Sequence, residues 1–131
     1  MDKIKSVEDL DVFKMAHELT LRVYRLTSAF PAGERFGLTL QLRRASSSIG
    51  ANLMEGSHRL GRKEFRYFVG VAKGSAGEVK YHLLLARDLA YMGEERYRAF
   101  RSEAETVSKM LHGLAVSLSD TDTDTDTDTV S

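Results

Sequence analysis

Residues 62–92 read RKEFRYFVGVAKGSAGEVKYHLLLARDLAYM, and the fold turns on how this stretch is understood. Its apolar side chains recur at intervals of three and four: Phe65, Phe68, Ala72, Ala76, Val79, Leu83, Ala86 and Ala90. That spacing predicts one long amphipathic helix rather than a strand, with Gly93 as its C-terminal cap. A second series, Tyr67, Val71, Gly74, Glu78, Tyr81 or His82, Leu85 and Leu89, repeats in the same way. It is turned roughly 120 to 200° from the first at 100° per residue. A helix apolar on two sides is buried on two sides. Each helix of a lone four-helix bundle keeps a solvent side, so Tyr67, Val71, Leu85 and Leu89 are expected at an interface between copies of the chain. The glycines at 70, 74 and 77 cost about 1 kcal/mol each in helix propensity, and a closely packed neighbour would account for them.

Outward from this helix the same periodicity continues. A first helix is expected from about Asp9 to Phe30, with Phe13, Ala16, Leu19 or Thr20, Val23 and Leu26 inward and Pro31 and Gly33 ending it. A second spans about Phe36 to His58, with Leu38, Leu42, Ala45, Ile49, Leu53 and Gly56 on one side. A fourth runs from about Glu94 to Leu118 through Tyr97, Phe100, Ala104, Val107, Leu111 and Leu114. Four such helices with short connections predict an all-α, antiparallel up-down-up-down bundle over residues 9–118. Residues 1–8 are expected to be an N-terminal extension and 119–131 a disordered acidic tail.

The chain has 131 residues and 42% apolar composition, enough for one core. It has no cysteine, which excludes disulfides, thiolate metal sites and cysteine nucleophiles. No apolar run approaches the ~20 residues of a spanning helix, and the N-terminus lacks a signal-peptide core, so the expected location is cytoplasmic with no membrane partner. The formal net charge is zero, but Asp120, Asp122, Asp124, Asp126 and Asp128 all fall in the Asp-Thr repeat of the tail. The remainder holds 19 bases against 14 acids, and from Arg35 to Lys73 there are eight bases and two acids. A basic stretch of this kind attracts polyanions. Arg43 is expected on the outer face of the second helix, and Arg59, Arg62, Lys63 and Arg66 where the second and third helices meet.

Beside the core stripe of the second helix runs a polar row, Gln41, Arg44, Ser48, Asn52 and Glu55, continuing to Arg59. Ser75, Glu78 and His82 flank the third helix similarly. Half-buried polar groups need partners, so these rows are read as an inter-helix network, with Arg44 placed to pair with Glu78 and Asn52 to span helices.

No enzyme is legible. Glu55-Gly56-Ser57-His58 fits one half of a di-iron carboxylate motif, but His17, His82 and His112 lack a glutamate three residues earlier. Glu78 and His82 alone offer a metal two ligands. The stretch from Gly56 to Lys63 has Arg62 and Lys63 where a phosphate loop needs lysine and a hydroxyl. No catalytic residue, cofactor or metal is expected.

Several segments together resemble a known family. They are Asp9-Leu10-Asp11-Val12-Phe13, Phe30-Pro31 with Glu34-Arg35-Phe36-Gly37-Leu38, Gln41 to Asn52 leading to Glu55-Gly56, and Ala72-Lys73-Gly74-Ser75 with Glu78. In these the chain resembles the small bacterial four-helix proteins encoded by intervening sequences in large-subunit ribosomal RNA genes. That family is related to the accessory variability proteins of diversity-generating retroelements. The resemblance implies a homo-oligomeric ring, commonly a pentamer, with a basic surface that contacts nucleic acid. The expected function is non-enzymatic binding of RNA through phosphate contacts. The alternative is a structural adaptor whose oligomer binds a protein partner such as a reverse transcriptase.

Overall fold

The computed structural model describes residues 6–119, within which four helices and no strand are found. They are α1 (Asp11–Thr27), α2 (Leu38–Ser57), α3 (Arg62–Asp88) and α4 (Glu94–Ser119). Ahead of α1 a 3-10 turn covers Val7–Asp9, and here the expected boundary shifts. Ser6 Oγ accepts from Glu8 N–H while the Asp9 carboxylate accepts from Ser6 N–H. This reciprocal cap closes the turn rather than α1. It sets Val7 into the core, so part of the expected N-terminal extension packs with the bundle. The Asp-Thr repeat lies outside the described residues.

All four helices contribute to one core, with α3 packed between α2 and α4 and α1 against both α2 and α4. From α1 it takes Val12, Ala16, Leu19, Val23 and Leu26. Phe13, expected in that stripe, is one position off it, half-buried with its ring stacked on His17. The expected stripe of α2 is buried throughout. At its last turn Gly56 is required by close approach: an added Cβ would stand 2.6 Å from Phe68 Cβ and 3.0 Å from Phe65 Cδ1.

The end of α3 differs from expectation. The helix stops at Asp88, Ala90 adopts a left-handed φ of 63°, and Tyr91 N–H returns to Ala86 O at 2.9 Å. The closing turn that favours glycine therefore falls on Ala90, not Gly93. Gly93 instead opens the next helix, its carbonyl accepting from Tyr97 N–H. Ala90 is exposed, while Val69, outside both predicted series, is fully buried.

Candidate nucleic-acid interface

Four bases gather at the pole where α2 passes into α3. Arg59, Arg62, Lys63 and Arg66 are all exposed there. Arg59 bonds Glu55 at 2.7 Å, with its guanidinium 4.9 Å above the Phe68 ring. Arg62 donates to Ser117 O at 3.1 Å and Arg66 to Ala115 O at 2.9 Å. These carbonyls lie near the C-terminal end of α4, where the helix dipole favours a cation. Each guanidinium carries five N–H donors, so these contacts leave donors facing solvent. Lys63 has no ion-pair partner among the described residues. A cleft of about 420 Å³ opens between Arg59, Gly61, Arg62, Phe65 and Leu118, with Leu60 fully exposed on its rim. Placing Arg62 and Lys63 in the first turn of α3 sets like charge against the positive end of the helix dipole, a local cost that an incoming anion would relieve.

Arg43 is not part of this cluster. The expected outer-face position is corrected by its contacts: Nε donates to Thr27 Oγ1 at 2.7 Å, a terminal nitrogen to Tyr24 O at 3.2 Å, and the guanidinium lies 4.5 Å from the Tyr24 ring. It ties α2 to the last turn of α1 and is half-buried.

Of the predicted polar network, a core of three residues comes together. Ser48 and Ser75 share a hydrogen bond of 2.7 Å across α2 and α3, and Asn52 Nδ2 donates to Ser48 O and Oγ. Glu55 is taken by Arg59. Arg44 and Glu78 do not pair with each other; both are exposed, as is Gln41. The small hydroxyls draw the helices together, and the longer side chains about a turn away project outward instead of across. Half-buried His82, on the same flank of α3, has its Nδ1 buried without a hydrogen-bond partner.

The second apolar series of α3 is open to solvent: Tyr67 is 66% exposed, Tyr81 58%, Leu89 46% and Val71 37%. Leu85 is half-buried and packs against the core. The rest of the described chain carries no group of three histidine or carboxylate side chains able to hold a metal ion, and no helix long and apolar enough to cross a membrane.

Apart from Arg66, the bases on the flank of α3 facing α4 are not among the predicted site residues. Lys73 Nζ lies 3.4 Å from His112 Nδ1, and Lys80 Nζ bonds Glu105 at 2.8 Å. That bond, more than any other influence, holds the Glu105 carboxyl below its ordinary value. Arg101 donates to Tyr97 Oη. Arg66, Lys73, Lys80 and Arg87 recur every seventh residue, a signal available in the sequence.

No protein of curated function matches the sequence. A solved structure of similar fold is a protein of unknown function from the S23 ribosomal protein family of Bacteroides thetaiotaomicron. It is 24% identical, with a TM-score of 0.74 over 80% of this chain and 95% of the other. Residues 8–113 match the family described as 23S rRNA-intervening sequence protein. With that match spanning three of the helices and most of the fourth, the chain belongs to the 23S rRNA-intervening sequence protein family.

Proposed function

We propose that this protein is a non-enzymatic, self-assembling RNA-binding protein that grips phosphates rather than reading bases. The observation that carries the reading is the polar cluster of Arg59, Arg62, Lys63 and Arg66, exposed together at one end of the molecule. The family description, which ties these proteins to ribosomal RNA genes, supports RNA as the polyanion. Neutralising phosphates releases counterions, so a few modest contacts per subunit, repeated in an assembly, sum to a strong and salt-sensitive affinity. Phe65 and Phe68 are half-buried, which leaves Tyr67 as the exposed aromatic of this stretch and favours backbone contacts over base stacking. Such a role is cytoplasmic.

Self-assembly is supported by the unpaired flank between α2 and α3. Exposed Tyr67, Val71, Tyr81 and Leu89 lie along α3 with the unpartnered charges of Arg44 and Glu78 nearby in sequence register, and with the orphaned His82 Nδ1. A buried polar atom without a partner in one subunit is expected to find one across an interface. The contacts Arg62 with Ser117, Lys73 with His112 and Lys80 with Glu105 support an antiparallel, up-down-up-down course. The assembly expected is a ring, of five subunits by the family resemblance.

Light scattering with and without a structured RNA, at low and high salt, tests both parts. A ring that binds RNA at low salt and releases it at high salt is expected. Replacing the four bases of the cluster by alanine should lower the slope of log K against log salt by about 3, at roughly 0.7 per single-strand phosphate contact. RNA binding that is absent, or unchanged in the variant, overturns the reading. A ring indifferent to RNA would favour an adaptor that uses the exposed apolar flank for a protein partner.

A further inference from the structure

The bases of α3 and α4 that face one another are arranged as a track that starts at Arg66 of the polar cluster and runs away from it. On α3, Arg66, Lys73, Lys80 and Arg87 follow at seven-residue intervals. Seven residues make about two turns, so successive bases stand roughly 10 Å apart in nearly the same direction. Two clefts adjoin along α4, one of about 310 Å³ at the seam with α3 and one of about 420 Å³ lined by α4 residues alone, and Glu105 and Lys109 line both. Lys73, Ser108 and His112 complete the first, and Arg98, Arg101, Ser102 and Thr106 belong to the second. The two clefts together hold four bases against one carboxylate, Glu105, which Lys80 already occupies at 2.8 Å. At the far end Arg98 bonds Glu94 at 3.1 Å. Lys73, Lys109 and Arg101 have no carboxylate within ion-pair distance among the described residues.

We propose that this trough is a second phosphate track, in which a single RNA strand runs along the α3–α4 seam with one phosphate seated among Lys73, Ser108, Lys109 and His112. The identity of the polyanion rests on the RNA reading above; the phosphate seat does not. Lys73 is held only by an imidazole nitrogen at 3.4 Å, a long contact, and an anionic phosphate oxygen is the stronger acceptor. A phosphate there would also accept from the Ser108 hydroxyl and balance Lys109, which has no ion-pair partner among the described residues. The basic line of α3 and its exposed apolar series lie roughly 140° apart around the helix axis at 100° per residue. A ring closed on the apolar flank therefore leaves the trough open.

The test titrates the full chain with inorganic pyrophosphate at constant ionic strength while following the four imidazoles by NMR. Saturable shifts at His112, with His17, His58 and His82 unmoved, are expected. Lys73→Ala with Lys109→Ala should abolish them and weaken oligouridylate binding about tenfold at low salt, while Lys73→Arg with Lys109→Arg should restore both. Unchanged far-UV circular dichroism and melting temperature will show that the variants fold. No selective response at His112, or one that survives loss of both lysines, overturns the seat. RNA binding that is undiminished by the double alanine variant, yet lost on neutralising the polar cluster, overturns the track and leaves the RNA reading standing. A His112 response without RNA binding at any salt supports the seat and overturns the RNA reading.

Discussion

Gly37 stands before α2 with no side chain to cap it, and the task passes to a residue one turn earlier. Glu34 Oε1 accepts from Leu38 N–H at 2.9 Å, while Oε2 accepts from the Tyr91 hydroxyl at 2.7 Å. Those bonds favour the carboxylate, the backbone one most, and lower the Glu34 pKa from its usual 4.5. The same contact raises the Tyr91 phenol above its usual 10.0. A lowered carboxyl stabilises the folded state at pH above its unfolded value, and the contribution disappears as pH falls through the folded one. Glu34→Gln is therefore expected to lower the melting temperature at neutral pH and to shrink the loss that the natural protein suffers between about pH 5 and pH 3. Circular dichroism melts across that range provide the check; equal acid losses in both proteins would show that Glu34 is not the group responsible. Glu34 stands in the sequence as an ordinary acid near a proline. Its partner Tyr91 is 57 residues away, a pairing set by where the α3–α4 connection lands. The Ser48–Ser75 contact was easier to foresee, because both residues sit beside a core stripe and must meet something polar. Which of the network residues would meet depended on the register between α2 and α3, and register is not written in either helix alone.

Among the elements, α3 shows most plainly what periodicity can and cannot reveal. Its core stripe and its second apolar series were both legible, since each repeats at three and four. Its basic flank was hidden by spacing: seven-residue steps place Arg66, Lys73, Lys80 and Arg87 in line, but their neighbours in sequence belong to the other two flanks. The boundaries were less legible because the end of α3 depends on a left-handed alanine, a conformation composition does not announce. The exposed flank yields a direct prediction. Val71 is 37% exposed in the subunit, so Val71→Arg should leave the fold and melting temperature of the isolated subunit intact while opposing assembly. Light scattering of the variant should give the monomer mass with undiminished helicity. A mass unchanged from that of the natural protein would overturn this flank as the proposed interface.

At the scale of the molecule, α1 and α4 close the bundle, and among the described residues a single ion pair spans that seam. Arg22 bonds Glu103, and its guanidinium also lies 4.6 Å from the Phe100 ring. The Glu103 side chain is only 11% exposed, and burial outweighs Arg22 in raising its pKa. Arg22→Ala should cost about 1 kcal/mol near neutral pH, less than a fully buried pair because Arg22 itself is partly solvated. A carboxyl whose folded pKa is raised favours the folded state when protonated, and that advantage is lost as pH rises through the folded value. The deficit of the variant should accordingly shrink on acidification. Urea denaturation at neutral and mildly acidic pH would register this, and a deficit that grows instead would contradict the assignment. The pair was invisible in sequence because 81 residues separate its members and helical order alone does not state which helices meet. The count and sequence of helices, by contrast, followed from apolar spacing that needs no long-range information. With one flank of α3 in the core, a second apolar and a third basic, few of its 27 positions are free to drift. Adaptation to a new partner should be recorded mainly in α1, whose outward side bears fewer such obligations.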